Sequence, residues 1–396
     1  MKIYRLKLDE NIYILLMALA FTGNHYIQLI VSTMIVGYAI VLKRKRWLSY
    51  HTCREMLSLF LMPCVVIHIY SLFIVIANHQ NISLLSTNIF TYLPILVAIA
   101  TCYLFGSAGC MFALAALILY FSTHVVFVVS KYGVASIKNA LQSFLSMGGD
   151  ITNVFELDDA VLASAYFIPV LIALNVEKTR RGKIRLTLGY LIIFILGSKR
   201  IAVLAVLATL LVHVLMKKIS TIKGKIKFEN MISWLIVILG IVFIYAAFNM
   251  EFINSLINKF SINVMARNYF WEGVLNKCSF SPIFFGYGRG SVKAMMYSMF
   301  PPYMNVHCDY IKMYAEIGFV PFIIWLYYYF IFLRKKLGKI FGFDTEYIFF
   351  LTMIVTAVLY LTDNTESYFI CGLMRCLIPM SVATKIQENN KRKEII

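Results

Sequence analysis

Charged side chains are scarce in this sequence. Asp, Glu, Lys and Arg make up 14% of the 396 residues, whereas 61% are hydrophobic. A soluble domain is about half apolar and about a quarter charged, so ordinary soluble enzymes and binding domains are excluded. We therefore expect residues 1–396 to form a single integral membrane domain whose solvent is lipid.

Several chemical signatures are also missing. The eight cysteines form no CxxC pair, and no Asp-x-Asp metal signature lies on the predicted outer side. Cys278 and Cys308 share one predicted loop and could form a disulfide, but we favour two free thiols. No small-residue cleavage site follows the first apolar run, which predicts a retained first helix rather than a signal peptide. We expect neither a metal nor another cofactor.

Twelve apolar runs separated by charged segments predict an all-α polytopic membrane protein with about 12 transmembrane helices. A crossing needs about 20 apolar residues, and shorter runs tilt or extend beyond the apolar core. The runs are 12–21, 26–42, 56–77, 89–105, 110–129, 160–176, 186–196, 201–216, 231–248, 306–333, 347–361 and 368–383. The large segment 249–305, between helices 9 and 10, is the predicted periplasmic loop and carries part of the active site.

The 37 Lys and Arg residues mark one side of the predicted membrane. Most lie at alternate boundaries between runs, as expected when cytoplasmic loops retain Lys and Arg. The basic groups are the N-terminus and segments 43–46, 178–185, 217–227, 334–339 and 385–393. This pattern explains the net charge of +18 by topology rather than by nucleic-acid binding, and it predicts that both termini are cytoplasmic.

Lys199 and Arg200 interrupt this pattern, because they lie between runs seven and eight on the outer side. Two adjacent cations there either extend to the interface or face an anionic ligand, and we favour a phosphate-bearing ligand. In the large loop, Arg267 and Trp271 are four residues apart and share a face of a helix, where they could hold an anion and stack a sugar ring, or form a structural cation–π pair.

The segment 286–290 (Gly-Tyr-Gly-Arg-Gly) does not follow a strand, so we do not interpret it as a nucleotide loop. We expect a tight turn with exposed backbone N–H groups and Arg289 on top. His307, Tyr310 and Tyr314 form one helical stripe, and Glu316 follows on the same helix. An imidazole at the membrane boundary suits general base catalysis.

The remaining polar groups are weaker candidates. Glu156, Asp158 and Asp159 could bind a metal, but they fit the first turn of a helix equally well. Arg375 lies inside the last run, with Asp363 and Glu366 just before it, and we expect these three to pair locally or to face the bundle interior.

Three signatures together resemble a family. They are Gly-Ser-Lys-Arg-Ile-Ala at 197–202, Arg267-x-x-x-Trp271 followed by Pro282 and Gly-Tyr-Gly, and His-Cys-Asp-Tyr at 307–310 followed by Ala-Glu-Ile-Gly at 315–318. Their order resembles the O-antigen polymerase and O-antigen ligase superfamily of bacterial inner membranes. The resemblance covers about a third of the chain, and Cys308 stands where the family often has Asn.

The resemblance implies a metal-independent, inverting glycosyltransferase. Its donor is an oligosaccharide on undecaprenyl pyrophosphate, and membrane lipid and a chain-length regulator protein are further implied partners. Arg200 and Arg267 would hold the pyrophosphate, and His307 would activate the attacking hydroxyl. Lys199, Arg289, Trp271, Tyr310, Tyr314 and Glu316 complete the expected substrate-binding set.

Three functions remain open from the sequence. A polymerase would join repeat units into O-antigen or a related surface polysaccharide. A ligase would transfer the finished glycan to lipid A-core. A polysaccharide or lipid-linked sugar transporter would concentrate its polar residues at the midplane of its helices. Polar residues here concentrate in one outer loop and at helix ends, which argues against the transporter. Between the other two we favour the polymerase, because a composition rich in Ile, Lys, Asn and Tyr is typical of polysaccharide-cluster proteins.

Overall fold

The structure is a computed structural model that describes residues 8–41, 50–146, 153–175, 180–197, 199–259 and 267–395. Over these ranges it is built from helices and contains no strand. The predicted all-α architecture is therefore confirmed for the described residues. The basic N-terminal residues, the segment 43–46, Lys178 and Ser198 lie outside them.

The helices of the first half follow the apolar runs. They are α1 (Leu8–Ala20), α2 (His25–Val41), α3 (Tyr50–Met56), α4 (Met62–Ala77), α5 (Leu93–Phe105), α6 (Gly109–Tyr132), α7 (Ala135–Ser146), α8 (Asp158–Ser164), α9 (Phe167–Asn175) and α10 (Arg180–Gly197). A π-helical turn at Leu57–Leu61 joins α3 to α4, and a 3₁₀ segment at Ile82–Thr91 precedes α5. The sixth predicted run is thus two short helices, α8 and α9.

The second half contains ten more helices. They are α11 (Arg200–Lys218), α12 (Ile222–Ala247), α13 (Met250–Lys259), α14 (Arg267–Leu275), α15 (Ser291–Met299), α16 (Asp309–Ile317), α17 (Phe319–Tyr327), α18 (Leu333–Phe341), α19 (Phe343–Leu359) and α20 (Phe369–Ile395). The predicted large loop is therefore partly helical, because it contains α13, α14 and α15.

Five described helical segments are long and apolar enough to cross a membrane. They are Thr52–Ala77, Leu93–Tyr132, Arg200–Lys218, Ile222–Ala247 and Phe369–Asn389, and His25–Val41 and Ile184–Gly197 are shorter apolar helices. Large apolar side chains on α11 and α12, such as Leu211 and Trp234, are exposed. Exposed apolar surface on such a scale is typical of helices that face lipid.

The most buried of the five is the segment within α20, which packs against α5 and α19. At one end of the bundle, α11 finishes at Lys218 and α12 starts at Ile222. The opposite end holds Arg200 and the loops that precede α16 and α20. The loop before α16 contains His307, the predicted base.

Candidate functional site

A loop at residues 362–364, between α19 and α20, contacts side chains that are far apart in the sequence. Arg267, at the start of α14, donates from Nη1 to the carbonyl oxygen of Thr362 at 2.6 Å. Lys199, just before α11, donates from Nζ to Oδ2 of Asp363 at 3.2 Å. The third residue of the loop contacts the predicted base. We call residues 362–364 the junction loop.

His307 has a left-handed backbone, with φ of 52°. This region is uncommon for residues other than glycine, and such conformations often mark functional positions. Nδ1 of His307 lies 3.3 Å from Nδ2 of Asn364, the last residue of the junction loop. The oxygen and nitrogen of the Asn364 amide can exchange places without changing the shape of the side chain. With Oδ1 of Asn364 facing the ring, Nδ1 of His307 donates to it and Nε2 is free to accept a proton.

The surroundings of His307 favour its neutral form. Burial lowers the pKa of the imidazole, the carboxylate of Asp363 opposes this shift, and the cations Arg267 and Lys199 add to it. The net result is a pKa below the usual value for histidine. A neutral imidazole is the form that accepts a proton at neutral pH.

Lys199 is surrounded by carboxylates. Its Nζ lies 2.8 Å from Asp158, 3.2 Å from Asp363 and 3.5 Å from Glu156. Burial lowers the pKa of the amine, but the three carboxylates outweigh burial and hold it above the usual value. Lys199 therefore anchors the junction loop to the segment before α8, and its charge is already compensated.

Arg200, in contrast, is exposed and forms no ion pair with any residue that the structure describes. Of the three weak metal candidates at the start of α8, Glu156 and Asp158 bind Lys199 instead. Within the described ranges, no group of three His, Cys, Asp or Glu side chains is arranged to hold a metal ion.

The second and third family-like segments pair with each other through their backbones. The N–H of Tyr287 donates to the carbonyl of Ala315 at 3.0 Å, and the N–H of Gly288 donates to the carbonyl of Glu316 at 2.7 Å. The glycine-rich turn therefore lies directly on the C-terminal end of α16, and the N–H groups of Tyr287, Gly288 and Gly290 are bonded to α16 itself.

Two glycines allow this crossing. Gly286 and Gly318 both have φ of 81°, and a Cβ on Gly318 would lie 2.3 Å from the carbonyl oxygen of Phe284. A Cβ on Gly286 would lie 2.6 Å from the carbonyl oxygen of Glu316. No other residue type fits at these distances, which explains why the tenth apolar run breaks at Gly318 into α16 and α17.

Arg289 lies beneath the glycine-rich turn rather than on top of it, so the expectation of an exposed cation over free N–H groups was wrong. Only 7% of Arg289 is exposed. Its Nη1 lies 3.3 Å from Oε2 of Glu316, which is fully buried, and Oε1 of Glu316 accepts from the N–H of Gly290 at 2.9 Å. The backbone crossing places Glu316 under the turn, and its carboxylate draws the guanidinium inward.

A cavity of about 370 Å³ opens beside this pair, which is within the size range of small-molecule sites. One wall comes from the glycine-rich turn and α16, a second from the start of α20, and a third from the first half of the chain. The charged groups on the first two walls are Arg289, Lys293, Lys312, Glu316, Glu366 and Arg375, and Asn364 lines the cavity as well.

A second ion pair, between Arg375 and Glu366, lines the cavity together with the pair of Arg289 and Glu316. Nη1 of Arg375 contacts Glu366 and the hydroxyl of Tyr360, and Tyr360 also bonds to Glu366. Burial alone would raise the pKa of Glu366, but Arg375 outweighs it and lowers the pKa to about 2. The expected local pairing of Arg375 with Glu366 is confirmed, whereas Asp363 pairs with Lys199.

Asp309 fixes the start of α16 to the segment after the junction loop. It is fully buried, and its Oδ2 accepts from the Thr365 hydroxyl at 2.9 Å and from the N–H of Glu366 at 3.0 Å. Burial raises the pKa of this carboxyl to about 7. Lys312, one turn later, donates to the Ser367 hydroxyl at 2.7 Å.

The three predicted aromatic residues pack inside the protein instead of lining the cavity. Trp271 is buried, and its Nε1 donates to the carbonyl of Val306 at 3.1 Å, directly before the predicted base. The hydroxyl of Tyr310 donates to Ala357 and that of Tyr314 to Ser279. Their roles in this structure are to hold the backbone around His307 and α16.

Of the predicted residues, the structure therefore brings Arg289 and Glu316 to the cavity and Lys199, Arg267 and His307 to the junction loop. Asn364 belongs to both places, since it lines the cavity and contacts the imidazole. With Nδ2 facing the ring, its buried Oδ1 has no hydrogen-bond partner among the described residues, which favours the amide orientation that turns Oδ1 to His307. Sequence reasoning missed Asn364, although a polar Asp-Asn pair directly after an apolar run is a usable signal.

No family model and no curated protein matches this chain.

Proposed function

We propose that this chain is a membrane glycosyltransferase of the O-antigen polymerase type. It joins oligosaccharide repeat units carried on undecaprenyl pyrophosphate into a surface polysaccharide. In this proposal the chain crosses the bacterial inner membrane twelve times with both termini in the cytoplasm, and residues 249–305 lie in the periplasm. The cavity and the junction loop then face the outer leaflet, where lipid-linked repeat units are presented.

The junction loop carries the proposal. It joins a neutral imidazole, an arginine and a buried lysine from three distant segments, and its Asn364 extends from His307 to a cavity lined by further cations. Glycosyl transfer from a diphosphate needs this combination. A base must take the proton of the acceptor hydroxyl, and fixed positive charge must stabilise the leaving group.

The chemistry follows from these groups. Nε2 of His307 takes the proton of the acceptor hydroxyl as its oxygen bonds to the anomeric carbon of the donor. The bond from that carbon to the phosphate oxygen breaks, and its electron pair leaves with the diphosphate. Attack opposite the leaving group inverts the anomeric centre, and a single base suffices for this step. Asp363 stabilises the imidazolium that forms.

The unpaired cations are the best candidates for the diphosphate. Arg289 and Arg375 are each bound to a carboxylate, whereas Lys293 and Lys312 line the cavity without an ion pair in the described part of the chain. Arg200 is exposed and unpaired as well. An uncompensated cation gains more from a phosphate than one that must first leave its counter-ion.

The test is a purified-protein reaction with His307→Ala. Wild-type protein given lipid-linked repeat units is expected to form products longer than one unit, and His307→Ala is expected to form at least about 100-fold less at the same folded yield. His124→Ala is the matched control, because His124 lies on α6, where its ring packs near Phe121 and its Nε2 lies 3.3 Å from the carbonyl oxygen of Val154. Full activity of His307→Ala contradicts the proposal.

A gene deletion distinguishes the related activities. Loss of all surface glycan longer than one repeat unit, with single units still attached to lipid A-core, supports the polymerase. Loss of every core-attached glycan indicates a ligase. Purified protein that moves lipid-linked sugar across vesicles without forming a glycosidic bond indicates a transporter.

A further inference from the structure

The third wall of the cavity comes from the first half of the chain, which contains none of the family-like segments. The turn between α1 and α2 contributes Gly23, His25 and Gln28, and the segment before α5 contributes Phe90. The start of α8 contributes Asp159. We call these five residues the N-terminal wall.

The aromatic part of the N-terminal wall is preassembled. The rings of His25 and Phe90 stack with centroids 4.7 Å apart and an interplanar angle of 29°. Nδ1 of His25 lies 3.4 Å from Oε1 of Gln28, whose side chain is 5% exposed. A buried amide beside stacked rings is the kind of surface that binds a polar ring with apolar C–H faces.

Asp159 differs from the other carboxylates of the cavity. Glu316 and Glu366 are each paired with an arginine, whereas Asp159 forms no ion pair among the residues described. Burial raises its pKa to about 6, so the group is mostly ionised at pH 7. Its Oδ2 lies beside Gly23, where an added Cβ would be 3.7 Å away.

An ionised carboxylate at this place constrains the orientation of a bound substrate. It repels a diphosphate, so we expect the phosphates to lie at the wall that carries Lys293 and Lys312. The part of the substrate that lies next to Asp159 must therefore donate hydrogen bonds to it. Sugar hydroxyls do so, and O–H···O⁻ hydrogen bonds to a charged acceptor are among the stronger ones in proteins.

We propose that the N-terminal wall binds the sugar ring attached to the diphosphate of the lipid-linked substrate, with Asp159 accepting from its hydroxyls and the His25–Phe90 pair packing against its C–H face. This inference rests on the proposed function and adds the location of the sugar. It makes Asp159 a specificity-determining residue, because a site built for a hydroxyl disfavours a sugar that lacks it.

The experiment measures binding of two lipids to purified protein in nanodiscs. One probe is undecaprenyl diphosphate without sugar, and the other is the undecaprenyl-diphosphate-linked repeat unit extracted from cells that lack this protein. Asp159→Asn keeps the size of the side chain and removes its charge. Asp344→Asn is the matched control, since Asp344 is an exposed first-turn residue of α19.

We expect Asp159→Asn to weaken binding of the sugar-bearing lipid about 10- to 100-fold, the range for one hydrogen bond to a charged group. Binding of undecaprenyl diphosphate should stay the same or become tighter, because a repelling charge is gone. His25→Ala should also weaken only the sugar-bearing probe. The control variant should bind both probes like the wild type.

Three outcomes overturn the inference. Equal binding of the sugar-bearing lipid by wild type and Asp159→Asn removes the sugar contact. An equal loss for both probes means that the residue does not recognise sugar. If wild-type protein binds neither probe, the proposed function fails together with the inference.

Discussion

The buried pair of Arg289 and Glu316 gives a quantitative prediction for Glu316→Gln. Glutamine keeps the oxygen that accepts from the N–H of Gly290, but it removes the negative charge and places an amide NH2 group, which cannot accept, beside Nη1 of Arg289. Breaking a buried ion pair by neutralising one partner costs about 3–5 kcal/mol, because the other charge stays uncompensated. Glu366 also attracts Arg289, so we expect the lower end, about 3 kcal/mol.

The double variant Arg289→Met/Glu316→Gln separates this cause from general disruption. With both charges absent, no uncompensated charge remains at the pair, and the double variant should be about 1–3 kcal/mol more stable than the sum of the single effects predicts. The measurement is the free energy of unfolding in detergent micelles, from denaturant titration followed by tryptophan fluorescence. A loss below about 1 kcal/mol for Glu316→Gln, or strictly additive effects, would refute the reasoning.

Two further predictions concern the base and the backbone crossing. The value of kcat/KM should fall as the pH drops through the pKa of His307, which burial holds below its usual value. Asp363→Asn should move this acid limb to still lower pH, because it removes the carboxylate that favours the imidazolium. Coinciding pH profiles of the wild type and the variant would contradict this. Gly318→Ala should lower the free energy of unfolding by more than about 2 kcal/mol, since it combines a positive φ with overlap against Phe284. Gly133→Ala, with φ of 76° and open space around its Cβ, should lower it by only about 1–2 kcal/mol. Equal losses of stability in thermal unfolding would show that the overlap is relieved.

The positions of the helices could be predicted from the sequence, because apolar runs and their charged ends are local signals. The bounds of α11, Arg200–Lys218, lie within two residues of the run predicted at 201–216. The break at Gly318 was not predicted, because it depends on contact with the backbone of Phe284, a partner more than thirty positions earlier. Whether a glycine ends a helix or lies within one depends on such neighbours.

The same limit applies to the site. Residue type and order identified His307 and Arg267 as candidates, and the junction loop places both beside one another. The sequence could not show that Lys199 is already compensated by three carboxylates or that Arg289 is turned inward. Both outcomes depend on which acidic side chains the fold brings within 4 Å, and the partners of Lys199 come from segments on both sides of it in the chain.

The backbone contacts between residues 286–288 and 315–318 also have a mechanical consequence. Helix α16 spans nine residues, about 13 Å, and its far end follows His307 by two positions. A rigid rod of that length transmits displacement from one end to the other. Under the proposed function, we therefore expect a substrate that displaces the turn above Arg289 to shift the backbone next to His307 at the other end.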